Sequence, residues 1–239
     1  MIEVEWAEFS EVGPRETNQD RTLKPVSAAG NYCILGIADG IGGAPGGAEA
    51  ATIAVDVASR AEPDPHRLPV LFDEVVGQLA KEAEVTPEFG RMGTTLSLAL
   101  LKEGNAYVAH VGDTRIYHLR GQGLITLTED QTEAAALLRK GVLKPRQLKR
   151  YPRRNVLLSA LTPNGGFELH SASAQIAVGD RILLLSDGVY EKITRRSVVE
   201  ASLANKEIHA FVAELERLVA EAGPSDNYSA LGVQITTLG

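Results

Sequence analysis

The chain has 239 residues, a formal net charge of −7 and 44% hydrophobic residues, which predicts one globular domain with a sizeable core. Its charges form no Lys/Arg stripe, which argues against nucleic acid as a partner. The single cysteine, Cys33, excludes an internal disulfide and a Cys-rich zinc site, and it fits a reducing cytoplasm. No segment approaches the roughly 20 apolar residues of a membrane helix, and residues 1–9 lack the apolar stretch of a signal peptide. We therefore expect a cytoplasmic protein without a membrane partner.

The amino-terminal half predicts strands followed by helices and then by more strands. Residues 1–10 alternate apolar and acidic side chains, and residues 32–38 form the continuous apolar run of a buried strand. Helical spacing predicts helices at about 45–60 and 65–84. Four short strand-like runs separated by Gly or charged turns follow within residues 92–127. This succession of neighbouring strands indicates an antiparallel sheet.

The carboxyl-terminal half begins with a polar, basic stretch at about 129–154 that looks helical but is interrupted by Gly141, Pro145 and Pro152. We interpret it as an excursion on the surface. Further strands are predicted at 155–160, 166–178, 181–185 and 228–237, and two amphipathic helices within 195–221. Because strands and helices come in blocks, the pattern favours an α+β fold of antiparallel sheets with helices packed outside them. No internal repeat or linker divides residues 1–239, so we expect a single domain.

Aspartates stand at the ends of three apolar runs, namely ILGIAD at Asp39, AYVAHVGD at Asp113 and ILLLSD at Asp187. Asp-Gly is also the commonest hairpin signal, so each one alone can be a simple turn. A buried carboxylate is costly unless it is paired, hydrogen-bonded or bound to a metal. Two more aspartates, Asp20 and Asp226, stand at element boundaries, and together the five predict a shared cation site.

The ligand types favour Mg²⁺ or Mn²⁺ over zinc, because several carboxylates occur without clustered His or Cys. The five histidines are scattered and show no HExxH spacing, and His110 is interpreted as a packed residue within a strand. The Gly-rich segment 40–47 does not match a phosphate-binding P-loop, which would require Lys at Ala48. It does not match a dinucleotide fingerprint either, which would require Gly at Pro45. Its glycines are expected to let the chain turn sharply after Asp39.

Seven motifs in this order resemble the metal-dependent protein phosphatases of type 2C, and especially their compact bacterial members. The resemblance spans the whole chain and rests on RETNQDR, ADGIGG, MGTT, VGDTRIY, LTEDQT, LLLSDGVYE and SDNYSALGV. It implies a sandwich of two antiparallel sheets flanked by helices on both outer faces, in four layers αββα. It also implies that the basic segment at about 131–165 is the family's variable flap subdomain, which lies beside the site.

The resemblance implies a ligand set for two Mn²⁺ or Mg²⁺ ions. Asp39 would bridge both ions, and the backbone carbonyl of Gly40, with Asp20 acting through water, would complete the first shell. Asp187 and Asp226 would hold the second ion.

Two further roles are implied by the same resemblance. Asp113 would join Asp187 in binding a weaker third ion. Arg15 would grip the substrate phosphate, a role that suits a planar bidentate donor, although it can equally form a surface ion pair.

The implied activity is that of a protein-serine/threonine phosphatase, a phosphoric monoester hydrolase. A water bridging the two ions would attack phosphoserine or phosphothreonine, so no protein nucleophile is needed. Cys33 lies in an apolar strand and lacks the arginine of a cysteine-based phosphatase six positions later. Ile41 replaces a histidine proposed as general acid in eukaryotic relatives, and Gln19 replaces a glutamate that fixes a metal-bound water. We expect water to protonate the leaving oxygen.

The implied partners are phosphorylated proteins, with a bacterial Ser/Thr kinase whose action this chain counteracts, and we expect a monomer. Two alternatives remain at this point. A catalytically dead relative would bind phosphoproteins as a regulatory module, although dead copies normally lose metal aspartates and all five are present here. The second alternative is a stress-signalling phosphatase dedicated to one anti-sigma-antagonist partner. The flap-like segment favours the ordinary bacterial branch of the family over this alternative.

Overall fold

A computed structural model describes residues 1–27, 31–43 and 45–239. Within these residues, ten strands form two antiparallel five-stranded sheets. The first has the order β1-β10-β9-β6-β7, with β1 Ile2–Glu11, β10 Tyr228–Leu238, β9 Arg181–Leu185, β6 Arg115–Arg120 and β7 Gly123–Thr126. The second has the order β2-β3-β4-β5-β8, with β2 Asp20–Val26, β3 Tyr32–Asp39, β4 Leu96–Lys102, β5 Asn105–Val111 and β8 His170–Gln175.

Six α-helices accompany the sheets in the described part of the chain. They are α1 Gly47–Ser59, α2 Leu68–Val85, α3 Glu133–Arg139, α4 Asp187–Tyr190, α5 Arg195–Ala204 and α6 Ile208–Ala222. Two 3₁₀ turns lie at Pro87–Phe89 and Pro145–Arg150. None of the helices in the described ranges is long and apolar enough to span a membrane.

Three apolar clusters lie between the four layers of the molecule and hold them together. The inner cluster joins the facing sides of both sheets, with Leu35 and Ile37 from β3 meeting Leu184 from β9. A second cluster packs α1 and α2 on the outer face of the β2-to-β8 sheet. A third packs α5 and α6 on the outer face of the other sheet. The predicted αββα arrangement is therefore confirmed, and it follows from strands such as β3 and β9 whose residues are buried on both faces.

Most predicted elements lie where the sequence placed them, but one predicted strand is wrong and another is shorter than predicted. Residues 155–160 form no strand and make only an isolated bridge between Thr132 and Leu157. The strand predicted at 166–178 is limited to β8, which alternates half-buried and exposed residues at the edge of its sheet. Residues 155–160 make single backbone hydrogen bonds to residues 131 and 133, whereas β8 pairs with β5 along its full length.

The basic stretch forms α3 and the Pro145–Arg150 turn and is largely exposed, as expected of a surface excursion. The side chain of Thr132 caps α3 by accepting a hydrogen bond from the Ala135 amide at 3.2 Å. The helix predicted from 45 begins at Gly47. Within the Gly-rich segment 40–47, Ala44 lies outside the described residues.

Candidate metal centre

The five predicted aspartates lie at one end of the sandwich because of how the strands run. Asp20 begins β2, Asp39 ends β3, and the two pair directly across the antiparallel ladder. Since β3 and β5 are both antiparallel to β4, they end at the same edge, which brings Asp113 there two residues after β5. In the other sheet β9 runs antiparallel to β10, so Asp187 after β9 and Asp226 before β10 share an edge.

Hydroxyl groups fix the first pair of aspartates in place. Ser186 donates a hydrogen bond from its Oγ to Asp20 Oδ2 at 2.7 Å. Thr95 accepts one from the Asp39 amide at 2.9 Å, while Thr94 donates to the Asp39 carbonyl oxygen at 3.0 Å. The Asp39 backbone is thereby held on both its donor and its acceptor.

Asn227 holds the segment that carries Arg15. Its Nδ2 donates to the carbonyl oxygens of Val12 and Thr17 at 2.8 and 2.9 Å, and its Oδ1 accepts from the Gln19 amide at 2.9 Å. Asn227 is only 6% exposed, so it is a buried clamp for a turn that is otherwise largely exposed. The sequence alone did not predict the roles of Ser186 and Asn227. The one signal that could have indicated them is that Ser186 directly precedes Asp187 and Asn227 directly follows Asp226.

Arg15 reaches into this end of the sandwich. Its Nη2 donates to Asp226 Oδ2 at 2.6 Å, and both side chains remain accessible, at 55% and 37% exposure. The hydrogen bond to Asp226 raises the pKa of the guanidinium, and the charges of Asp187 and Asp39 act in the same direction. The predicted phosphate-binding arginine therefore faces the aspartates and is not remote from them. In this structure it forms an ion pair with one of them.

The carboxylates are near enough to oppose each other's ionisation. Burial raises the pKa of Asp39 well above its ordinary value, and the charges of Asp20 and Asp187 raise it further. Asp187 is affected in the same way by burial and then by Asp113 and Asp226. Burial also raises the pKa of Asp20, and it raises that of Asp113 to about 7. This end of the sandwich therefore concentrates carboxyl groups whose ionised forms a bound cation would stabilise.

The chemistry of this donor set fits a hard divalent cation. All the candidate side-chain ligands are carboxylates, which suit Mg²⁺ and Mn²⁺. Within residues 1–27, 31–43 and 45–239, no three Asp, Glu, His or Cys side chains are arranged as a ready-made ligand set around one point. The carboxylates form an electrostatic cluster in which the charges of neighbouring aspartates raise the pKa of Asp39 and Asp187. The ligand roles of Asp20, Asp39, Gly40, Asp113, Asp187 and Asp226 stay predictions.

Gly40 belongs to this edge for a steric reason. A Cβ atom at this position would lie 2.2 Å from the carbonyl oxygen of Gly47, so only glycine allows the first turn of α1 to approach β3 so closely. Its amide donates to the Gln19 carbonyl oxygen at 3.1 Å. The segment after Asp39 is thereby tied to the segment before Asp20.

Two other side chains bear on the chemistry. Cys33 is buried, and burial raises the pKa of its thiol to about 12, so it is a protonated core residue and not a nucleophile. His110 is fully buried between Ser97 Oγ at 2.7 Å and the carbonyl oxygens of Gly112 and Glu129, as expected of a packed histidine.

Comparison with known proteins agrees with this architecture. Residues 13–231 match the family model described as protein phosphatase 2C. The chain is 32% identical over 180 residues to the serine/threonine phosphatase stp of Listeria monocytogenes, which covers 71% of each chain. It is 29% identical over 206 residues to the serine/threonine protein phosphatase PstP of Mycobacterium tuberculosis, which covers 83% of this chain and 39% of that protein. The chain thus spans well under half the length of PstP.

Solved structures extend the likeness over the whole fold. The crystal structure of PstP/Ppp of Mycobacterium tuberculosis has a TM-score of 0.88 and 25% identity, covering 99% of this chain and 100% of that one. The PstP catalytic domain in complex with two manganese ions has a TM-score of 0.85 and 24% identity at the same coverage. The chain belongs to the protein phosphatase 2C family. The relatives it matches are named serine/threonine phosphatases, so the resemblance seen in the seven motifs is confirmed.

Proposed function

We propose that this chain hydrolyses phosphoserine and phosphothreonine in proteins with the help of Mn²⁺ or Mg²⁺. The observation that carries the proposal is the clustering of five aspartates with Arg15 at one end of the sandwich. Family membership and the names of the matched phosphatases support it, as does the manganese complex of PstP. Because this chain matches only 39% of PstP, the activity, substrates and partners of this chain are proposed here from its own site.

Asp39, with Asp20 and the Gly40 carbonyl, would hold one ion, and Asp187 with Asp226 a second, while Asp113 could serve a third. When bound, such ions neutralise phosphate oxygens and lower the pKa of water. Phosphate monoester hydrolysis is among the slowest uncatalysed reactions, so the site must supply a large rate acceleration. Electrostatic stabilisation of the transition state by the ions would provide much of it.

The chain's own residues contribute orientation and not a proton donor. Arg15 presents a planar fork that suits two phosphate oxygens, and its partial exposure leaves it accessible to a substrate. Ile41 follows the cluster and is half-buried, with its amide donating to the Gly93 carbonyl oxygen at 2.9 Å, and its side chain has no proton to give. Gln19 packs against Gly47 and could donate an amide hydrogen bond to a water near the cluster. Water therefore protonates the leaving oxygen.

The test is phosphate release from p-nitrophenyl phosphate and from a phosphothreonine peptide in the presence of Mn²⁺. Asp39→Asn should abolish turnover while circular dichroism shows a folded protein. Asp56→Asn, the same substitution at an exposed position of α1, should leave turnover intact. A folded wild type that releases no phosphate with Mn²⁺ would show the catalytic proposal to be wrong and would favour a phosphoprotein-binding module.

We infer that the substrates are proteins phosphorylated by a Ser/Thr kinase, in the cytoplasm, and that the chain acts as a monomer with the flap subdomain at about 131–165. Comparing phosphoproteomes with and without the gene identifies the substrates. Light scattering measures the oligomeric state, and cell fractionation checks the location.

A further inference from the structure

A cavity of about 480 Å³ opens beside the aspartate cluster, between the flap at 131–165 and helix α4. The flap side is lined by Leu148 and Lys149, and the α4 side by Tyr190 and Lys192. Asp113 also lines it, which makes the cavity continuous with the candidate metal centre. A peptide bound at the centre would therefore have its neighbouring residues at the entrance of this cavity.

Four of the charged groups lining the cavity are already paired with each other. Arg115 donates to both carboxylate oxygens of Asp130, at 2.9 and 2.6 Å. Arg154 lies 3.4 Å from Glu191 and bridges the flap to the end of α4. Their opposite charges largely cancel within the lining.

Lys149 and Lys192 differ from these pairs, because neither has an ion-pair partner within the described ranges of the chain. Lys149 is exposed on the Pro145–Arg150 turn, and Lys192 is half-buried just after α4. The two lysines thus line one space from opposite walls, and the carboxylate of Asp113, at the metal-centre end, is the one other charged side chain of the described lining outside the two pairs. A small anionic group is the complement of such an arrangement.

The distribution of charge over the whole chain points the same way. Residues 131–165 hold eight of the 24 Lys and Arg residues but only one of the 31 Asp and Glu residues. The flap is thus strongly basic on a molecule that is otherwise strongly acidic. An acidic segment would be repelled by most of the surface and attracted to the flap, which favours one orientation of approach.

We propose that the cavity is a specificity subsite for an anionic side chain of the substrate, close in sequence to the phosphorylated residue being hydrolysed. Lys149 and Lys192 bind this group, which is a carboxylate or a second phosphate. An extended peptide advances about 3.3 to 3.6 Å per residue, so a group a few residues away can enter while the reacting phosphate is at the aspartates. The inference rests on the proposed phosphatase function.

The experiment uses phosphothreonine peptides that are identical except at the flanking positions, which carry Gln, Glu or phosphoserine in turn on either side. The flanking phosphoserine is supplied as its non-hydrolysable phosphonate analogue, so that only the threonine phosphate can be released. We expect kcat/KM to be higher for the Glu and phosphoserine peptides than for the Gln peptide, by about two- to fivefold for each lysine engaged. Lys149→Gln and Lys192→Gln should each bring this ratio towards one. The advantage should also shrink as salt is added. Comparing the Glu and phosphoserine arms tells which anion the subsite prefers.

Lys140→Gln is the matched control, because Lys140 is an exposed lysine of the same flap that does not line the cavity. It should keep the wild-type ratio. Equal loss in all three variants, or no preference in the wild type, would overturn the proposal. Peptide affinity for the Asp39→Asn variant, measured by fluorescence anisotropy, shows whether the preference is also present in binding without turnover. Hydrolysis of the Gln peptide separates the two claims, because its absence contradicts the phosphatase function and its presence without acid preference contradicts only the subsite.

Discussion

Gly188 and Asn227 approach each other so closely that a Cβ atom on Gly188 would lie 2.0 Å from the Asn227 carbonyl oxygen. Asp187 and Asp226 immediately precede these two residues. The contact therefore sets the separation of the backbones that carry the two aspartates, across the β9 and β10 ends of one sheet. Any side chain at position 188 must push them apart.

Replacing Gly188 with Ala should lower the free energy of unfolding by about 2 to 3 kcal/mol, since backbone atoms cannot yield as a flexible side chain would. It should also weaken Mn²⁺-dependent turnover. Gly77→Ala is the control, because a Cβ there meets no atom within 4 Å and the residue lies inside α2. That variant should gain about 0.5 to 1 kcal/mol. Urea denaturation measures both, and a Gly188→Ala protein as stable as wild type would refute the steric reading.

Replacing Asn227 with Ala should release the turn that carries Arg15. Three hydrogen bonds to Val12, Thr17 and Gln19 are lost at a buried position, which should cost about 2 to 3 kcal/mol of stability. Urea denaturation measures the loss. The exposed Asn164 is the control, and its replacement by Ala should be neutral. If both variants unfold at the same urea concentration as wild type, the clamp contributes nothing.

Replacing Arg15 with Lys keeps the positive charge but loses the planar fork. We expect kcat/KM for a phosphothreonine peptide to fall about tenfold or more, because a charge-assisted bidentate contact becomes a single one. Stability should change little, since the Arg15–Asp226 pair is largely exposed. Steady-state kinetics with denaturation as a control gives both numbers. Unchanged kinetics would assign Arg15 to the surface ion pair alone.

His110 should make the fold sensitive to mild acid. Burial, with a further contribution from His170, lowers its pKa to about 4 from an ordinary value of 6.5, so the unfolded chain binds a proton at pH values where the folded one does not. Stability is therefore present above pH 6.5 and falls as the pH drops towards 4, by up to about 3 kcal/mol from this residue. His110→Asn should flatten this slope between pH 7 and 5 in urea titrations. An unchanged slope would mean that another group controls the acid transition.

Antiparallel sheets with helices packed outside them could be predicted from the sequence because the strands and helices of the core carry clear periodicity, while the four-layer order was implied by the resemblance to the family. Continuous apolar runs such as that of β3 pack on both faces, and α6 repeats apolar residues at helical spacing. The segment 155–160 is apolar in composition but forms no strand, and the strand predicted at 166–178 forms only at His170–Gln175, where it pairs with β5. Strand formation depends on whether a partner strand lies beside the segment. That is a property of the whole fold and not of the segment.

The candidate site was predictable in its aspartates and not in the groups that hold them. Asp39 and Asp187 follow apolar runs, a signal visible along the chain. Ser186 and Asn227 act on residues 166 and 208 to 215 positions away, and such distant contacts leave no local pattern. The cavity between the flap and α4 likewise brings together segments that are separate in sequence.

The metal centre is tested most directly by the structure of crystals grown with Mn²⁺, in which anomalous scattering locates each ion. We predict two ions beside Asp39, with Asp187 and Asp226 among the ligands of the second, and the map also shows whether Asp113 binds a third. A well-ordered structure with Mn²⁺ present and no anomalous peak at Asp39 would contradict the central claim.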